Sequence, residues 1–170
     1  MMLLAGDVGG TKTALALVQD GAIVERQTYP SAAFASLEAM VSTFLGSRGQ
    51  RIARACFGIA GPVSDDVCRT TNLRWVVDAR SVERSLGLPR VSLVNDFHAL
   101  VKGIGILPSS DFALLNDAPS DPRGPWASIG AGTGLGEAVV VRTASGYEVV
   151  PSEGGHADLA PRNELEIEPS

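Results

Sequence analysis

Cysteine and lysine are both scarce in this chain of 170 residues: Cys56 and Cys68 are its only thiols, and Lys12 and Lys102 its only lysines. Two cysteines leave no disulfide framework, so a hydrophobic core must hold the fold; both thiols are expected to be buried and reduced, as in a cytosolic protein, with one disulfide across neighbouring strands as the alternative. No run of Lys or Arg occurs, and the net charge is −5. That balance excludes a broad surface for nucleic acid or anionic lipid. No apolar stretch approaches the roughly 18 residues of a membrane span. Met1-Met2-Leu3-Leu4-Ala5 opens like a signal peptide, but it has no basic residues before it and breaks at Gly6-Asp7. The expected location is therefore the cytoplasm, with no membrane and no nucleic acid among the partners.

Two familiar nucleotide motifs are also missing. No G-x-x-x-x-G-K-[ST] loop occurs. The glycines from Gly130 to Gly136 fail G-x-G-x-x-G at its last position in both registers, and strand-like Ala138-Val139-Val140-Val141 follows where a helix should start. The glycine pattern therefore argues against hydride-transfer chemistry.

With 45% hydrophobic and 19% charged residues, the chain can fill and cover one core. Strands are predicted over residues 3–8, 13–18 and 22–29, an opening meander turned at Gly9-Gly10 and at Asp20-Gly21. A helix is predicted from Ser36, with Leu37, Met40, Val41, Phe44 and Leu45 on one face. Strands follow at 53–59 and 67–71, then a helix at 79–86 between an Asp78 cap and a Gly87 stop. Next come a strand at 91–94, a helix at 97–103, a short strand at 112–115 and a Pro/Asp/Gly-rich loop at 117–125. Strands at 126–129, 137–142 and 147–150 complete the series. This order predicts an α/β or α+β domain with a mixed sheet.

Two glycine turns carry most of the chemistry. Asp7-Val8-Gly9-Gly10-Thr11-Lys12 and Gly132-Thr133-Gly134 each follow an apolar strand. Backbone N–H groups there can approach an anion without a Cβ in the way, so the pair can grip a polyphosphate from two sides. Asp7 can hold Mg²⁺ through water, and Thr11 and Lys12 can offer a hydroxyl and a charge to phosphoryl oxygens. The plainer alternative is that the glycines merely serve tight hairpins. Asn95-Asp96 at a strand end, and Glu153-Gly154-Gly155-His156 beside a third glycine pair, favour a site; Asp96 as a simple helix N-cap is the competing reading.

Asp7-Val8-Gly9-Gly10-Thr11 resembles the first phosphate motif of the sugar kinase, heat-shock ATPase and actin superfamily, and Gly132-Thr133-Gly134 resembles the second. Asn95-Asp96-Phe97 and Glu153-Gly154-Gly155-His156 narrow the resemblance to bacterial glucokinases, in the group without a cysteine-rich zinc loop. The resemblance extends through Ala60-Gly61-Pro62-Val63 and Thr71-Asn72-Leu73-Arg74-Trp75. It implies a ribonuclease H-like mixed sheet with flanking helices, the smaller N-terminal domain of a two-domain kinase, over residues 1–160. Residues 161–170 would begin a helix leading to the second domain. The implied activity is phosphorylation of glucose by ATP with Mg²⁺, in a full-length protein that is commonly a homodimer. Asp96 would be the general base for the sugar 6-hydroxyl, with Asn95, Glu153, His156 and Asn72 on the sugar. Asp7, Gly9, Gly10, Thr11, Lys12, Gly132, Thr133 and Gly134 would hold the nucleotide. A chain lacking the second domain is expected to be inactive or nearly so; a noncatalytic sugar-binding fragment and a kinase for another hexose are the alternatives.

Overall fold

The computed structural model describes residues 1–46, 51–70, 73–119, 121, 123–132, 135–144, 146–152, 154–157 and 160, with His156 by its backbone alone. The chain divides into two compact units, Met1–Leu107 and Pro108–Ser170.

In the first unit, β1 (Met2–Val8), β2 (Lys12–Gln19) and β3 (Ala22–Pro30) form the expected antiparallel meander. Both β4 (Ile52–Ile59) and β8 (Val91–Asn95) run parallel to β1, giving a five-stranded sheet of order β3-β2-β1-β4-β8. A smaller antiparallel sheet joins β5 (Val63–Ser64), β6 (Val67–Arg69) and β7 (Val76–Asp78). Its first turn places Asp65 and Asp66 at φ of 52° and 60°, the left-handed pair that a two-residue hairpin needs.

Period-two alternation sends Leu4, Val8, Leu15, Leu17, Phe57 and Ile59 to one sheet face, where they are almost completely buried. That face packs with α1 (Leu37–Leu45) and α2 (Ala79–Leu86) around a single core. Ser36 caps α1 by accepting from the Ala39 N–H, and Asp78 caps α2 by accepting from the N–H groups of Arg80 and Ser81. Gly46 and Gly87 end the two helices at positive φ.

On the other sheet face lies α3 (Asp96–Ile104), packed on β4 and β8. Cys68 and Cys56 are both free, but only Cys68 is buried. Cys56 is exposed because it alternates away from Ala55 and Phe57 onto this second face, so the expectation of two buried thiols fails for it.

The second unit is a three-stranded antiparallel sheet, β9 (Trp126–Ala131), β10 (Leu135–Thr143) and β11 (Gly146–Ser152), in the order β11-β10-β9. A 3-10 turn, Gly154–His156, follows it. The strand expected at 112–115 does not form. Phe112, Leu114 and Leu115 are exposed, and among the described residues no strand pairs with them. Among the described residues no helix is long and apolar enough to cross a membrane.

Candidate active site

The three parallel strands β1, β4 and β8 end side by side, and open parallel sheets bind ligands outside such carboxyl ends. Register places Asp7, Gly58 and Val94 in one row, and Val8, Ile59 and Asn95 in the next. Asp7 therefore shares a sheet face with Gly58, the face on which α3 begins. A Cβ on Gly58 would lie 3.1 Å from the Ala99 Cβ and 3.5 Å from the Asp96 Cα. Its absence lets the first turn of α3 sit directly on the sheet, beside Asp7. Gly6, Asp7, Gly58, Asp96, Phe97 and Ala99 line the resulting open cavity of about 450 Å³.

Asp96 is the first residue of α3, not its cap. The cap is Asn95, whose side-chain oxygen accepts from the His98 N–H at 3.1 Å while its Nδ2 donates to the Gly61 carbonyl at 3.2 Å. This relieves Asp96 of capping the helix. Its Oδ1 accepts from the Phe97 N–H at 2.8 Å, and among the described residues Oδ2 has no hydrogen-bond partner. Asn95 is correspondingly less free than a pure ligand would be, since one lone pair and one N–H are already committed.

The Asp7 carboxyl is exposed at the surface but still feels its surroundings. Partial burial raises its pKa above the ordinary 3.8, the nearby Asp96 charge raises it further, and Arg26 and Lys12 oppose the change. Two carboxylates thus face one cavity, with Lys12 within electrostatic reach. His98, in the first turn of α3, is half-buried; burial first and the Lys102 charge second lower its pKa.

The first glycine turn closes through the Gly9 N–H, which donates to the Lys12 carbonyl at 3.1 Å. Gly9 does not adopt positive φ. What it needs is space, because a Cβ would stand 3.0 Å from the Lys12 oxygen. Gly61 is the position where positive φ matters: it adopts 151°, and a Cβ there would lie 2.9 Å from the Arg69 carbonyl. Gly58 was not singled out from sequence, although an isolated glycine inside an apolar strand such as β4 signals close backbone approach.

In the second unit, β9 and β10 pair from Ala131 and Leu135 outward, on either side of the second glycine stretch. Gly132 is exposed there. Thr133 and Gly134 lie outside the described residues, as do Glu153 and Asn72. The 3-10 turn Gly154–His156 packs against the start of β10. Any Cβ on Gly155 would overlap the Leu135 carbonyl, and one on Gly154 would overlap Glu137 Oε2. The structure therefore brings together Asp7 with Asp96 in the first unit, and the second glycine hairpin with the third glycine pair in the second.

Known proteins match this arrangement. A family model described as glucokinase matches residues 4–169. A glucokinase of Nostoc punctiforme is 42% identical over 98% of this chain, and one of Synechocystis is 44% identical over 96%. The chain spans about half the length of these relatives, 51% and 50%. Among solved structures, a glucokinase from an Antarctic psychrotroph superposes with a TM-score of 0.82 at 31% identity, over 98% of this chain and 54% of its own. A Balamuthia mandrillaris glucokinase solved with glucose shares the fold, with a TM-score of 0.72 at 24% identity over 98% of this chain and 52% of its own. The chain belongs to the glucokinase family.

Proposed function

We propose that this chain is the amino-terminal half of an enzyme that transfers the γ-phosphoryl group of ATP to the 6-hydroxyl of glucose. One observation carries the reading: Asp96 stands at the carboxyl ends of β1, β4 and β8, freed from capping by Asn95, with Oδ2 unpartnered among the described residues beside a 450 Å³ cavity. As the sugar oxygen bonds to phosphorus and the bond to the β-phosphate oxygen breaks, the hydroxyl proton passes to the Asp96 carboxylate. Glucose 6-phosphate and ADP result. In a loose transition state that proton leaves late, so the carboxylate first orients the hydroxyl and then accepts.

Asp7 fits a magnesium ion. It is a hard oxygen donor at the cavity mouth whose charge is disfavoured by burial and by Asp96, and a cation would relieve both. Bound with ATP, the ion neutralises phosphate charge. Gly9, Gly10, Thr11 and Lys12 would hold phosphoryl oxygens from the first turn, and Gly132, Thr133 and Gly134 from the second. Asn95 would give its remaining N–H and lone pair to the sugar, joined by Glu153, His156 and Asn72.

The test compares the chain alone with the chain joined to the second half of the Nostoc punctiforme relative, assayed for ATP-dependent phosphorylation of a hexose panel. Turnover is expected only in the joined protein, selective for glucose, and reduced at least about 100-fold by Asp96→Asn. Full activity of the Asn version would remove Asp96 as base. Glucose binding by calorimetry without turnover in either protein would favour a noncatalytic sugar-binding fragment.

A further inference from the structure

Thr13, Ser31 and Ser128 are the buried polar side chains among the described residues, and the two that are fully buried, Thr13 and Ser31, meet beneath the first glycine turn. Ser31 follows β3 directly and opens a 3-10 turn, Ser31–Ala33. Its Oγ donates to the Gly9 carbonyl at 2.7 Å, and its backbone N–H donates to the Thr11 carbonyl at 3.0 Å. The Thr13 hydroxyl stands 2.9 Å from the same Oγ. A serine has one hydroxyl proton, and here it is spent on Gly9, so Thr13 must be the donor to Ser31. The direction of the relay is thereby fixed: Thr13 to Ser31 to Gly9.

Buried hydroxyls are costly unless every one is bonded, and such a relay is satisfied in only one arrangement of the turn. Ser31 grips the turn at both ends, through Gly9 and Thr11, while the Gly9 N–H closes it onto Lys12. We propose that Ser31, oriented by Thr13, is a positioning residue for nucleotide phosphate. It touches no ligand itself and presets the turn that carries the backbone N–H groups of Gly10 and Thr11. This rests on the reading of that turn as a phosphate cradle. Preset donors bind an anion without a further ordering cost, so loosening the turn should weaken nucleotide binding selectively.

The experiment uses the chain itself, with Mg·ATP as the probe and backbone amides read by NMR. Ser31→Ala removes both side-chain hydrogen bonds; Thr13→Val keeps the shape and the Ser31–Gly9 bond while removing one donor. Ser31→Ala is expected to speed hydrogen exchange at the Gly9 and Ser31 amides about tenfold, leaving core amides such as Leu4 and Phe57 unchanged, and to weaken Mg·ATP binding by a similar factor. Thr13→Val should do the same to a smaller extent. Exchange at Gly9 and Ser31 within twofold of the parent in both variants would overturn the proposal. Faster exchange with no response of the Gly10 and Thr11 amides to Mg·ATP in any version would instead sink the phosphate reading and leave the relay as a device of turn geometry.

Discussion

The two units bury their apolar residues very differently. All the buried apolar side chains among the described residues belong to Met1–Leu107 except Ala138, Val140 and Val149. In the first unit one sheet face meets two helices and closes a core. In the second unit three strands alternate as strands should, yet Ile129, Val139, Tyr147 and Val150 remain exposed. Burial of apolar surface is the main favourable term in folding, so with only Ala138, Val140 and Val149 buried in the second unit among the described residues, the first unit supplies most of the stability. The site residues divide in the same way. Asp7 and Asp96 stand on the well-buried sheet, and the second glycine hairpin on the sparsely buried one.

That contrast can be broken most forcefully at Phe57, which is fully buried at the centre of the first core. Phe57→Ala is expected to cost about 3–5 kcal/mol, against about 1.5 kcal/mol for Val140→Ala, which removes two buried carbons. Each unit holds one tryptophan, Trp75 or Trp126, so single-tryptophan versions followed through urea unfolding report the units separately. Equal midpoint shifts from the two substitutions would contradict the difference in burial. A smaller effect should come from Gly58→Ala. Its methyl meets Ala99 and should push α3 off the sheet at about 1–3 kcal/mol. Activity of the joined protein should fall by more than that stability loss explains, because Asp96 moves with the helix; unchanged turnover would show that the close approach is not needed.

The smallest expected effect sharpens the electrostatics of the first unit. The Asp7 pKa is raised on folding, so the folded state favours its protonated form. Stability from this group is present below the ordinary value of 3.8 and is lost as pH rises through the raised value. Asp7→Asn should therefore raise Tm slightly at pH 7, with the gain vanishing near pH 3, where both forms are neutral. Thermal melts at the two pH values check this, and a lower Tm at pH 7 would reverse the assigned sign.

Much of the first unit was legible because local rules agree there. The hydrophobic face from Leu37 to Phe44 fits only a helix, and Asp78 and Gly87 mark α2 at both ends. The strand expected at 112–115 failed because apolar residues form a strand only where a ladder accepts them, and propensity does not report partners. Asp7 and Asp96 were picked out from sequence and the fold brings them to one cavity, whereas Ser31 was not picked out, because its proposed role depends on a carbonyl in the distant turn between β1 and β2. Asn95 was read as a sugar ligand from the family resemblance, and the structure adds that its amide also serves α3 and the Gly61 turn. One-dimensional proximity does not reveal how many of a side chain's bonds are already taken.

Strand order also sets how far apart in sequence the parts of the site begin. The meander β1-β2-β3 needs only short loops to close, whereas β4 reaches β1 across about 50 residues, as in Met2 with Ile52, and β8 reaches β4 across 36, as in Ala55 with Val91. Longer closures cost more entropy. Asp7 belongs to the meander, and it meets Asp96 only when both long-range pairings are made and β8 carries α3 with it. The carboxylate pair is a gauge of the first unit, since Asp7 can sense Asp96 only when that sheet is complete.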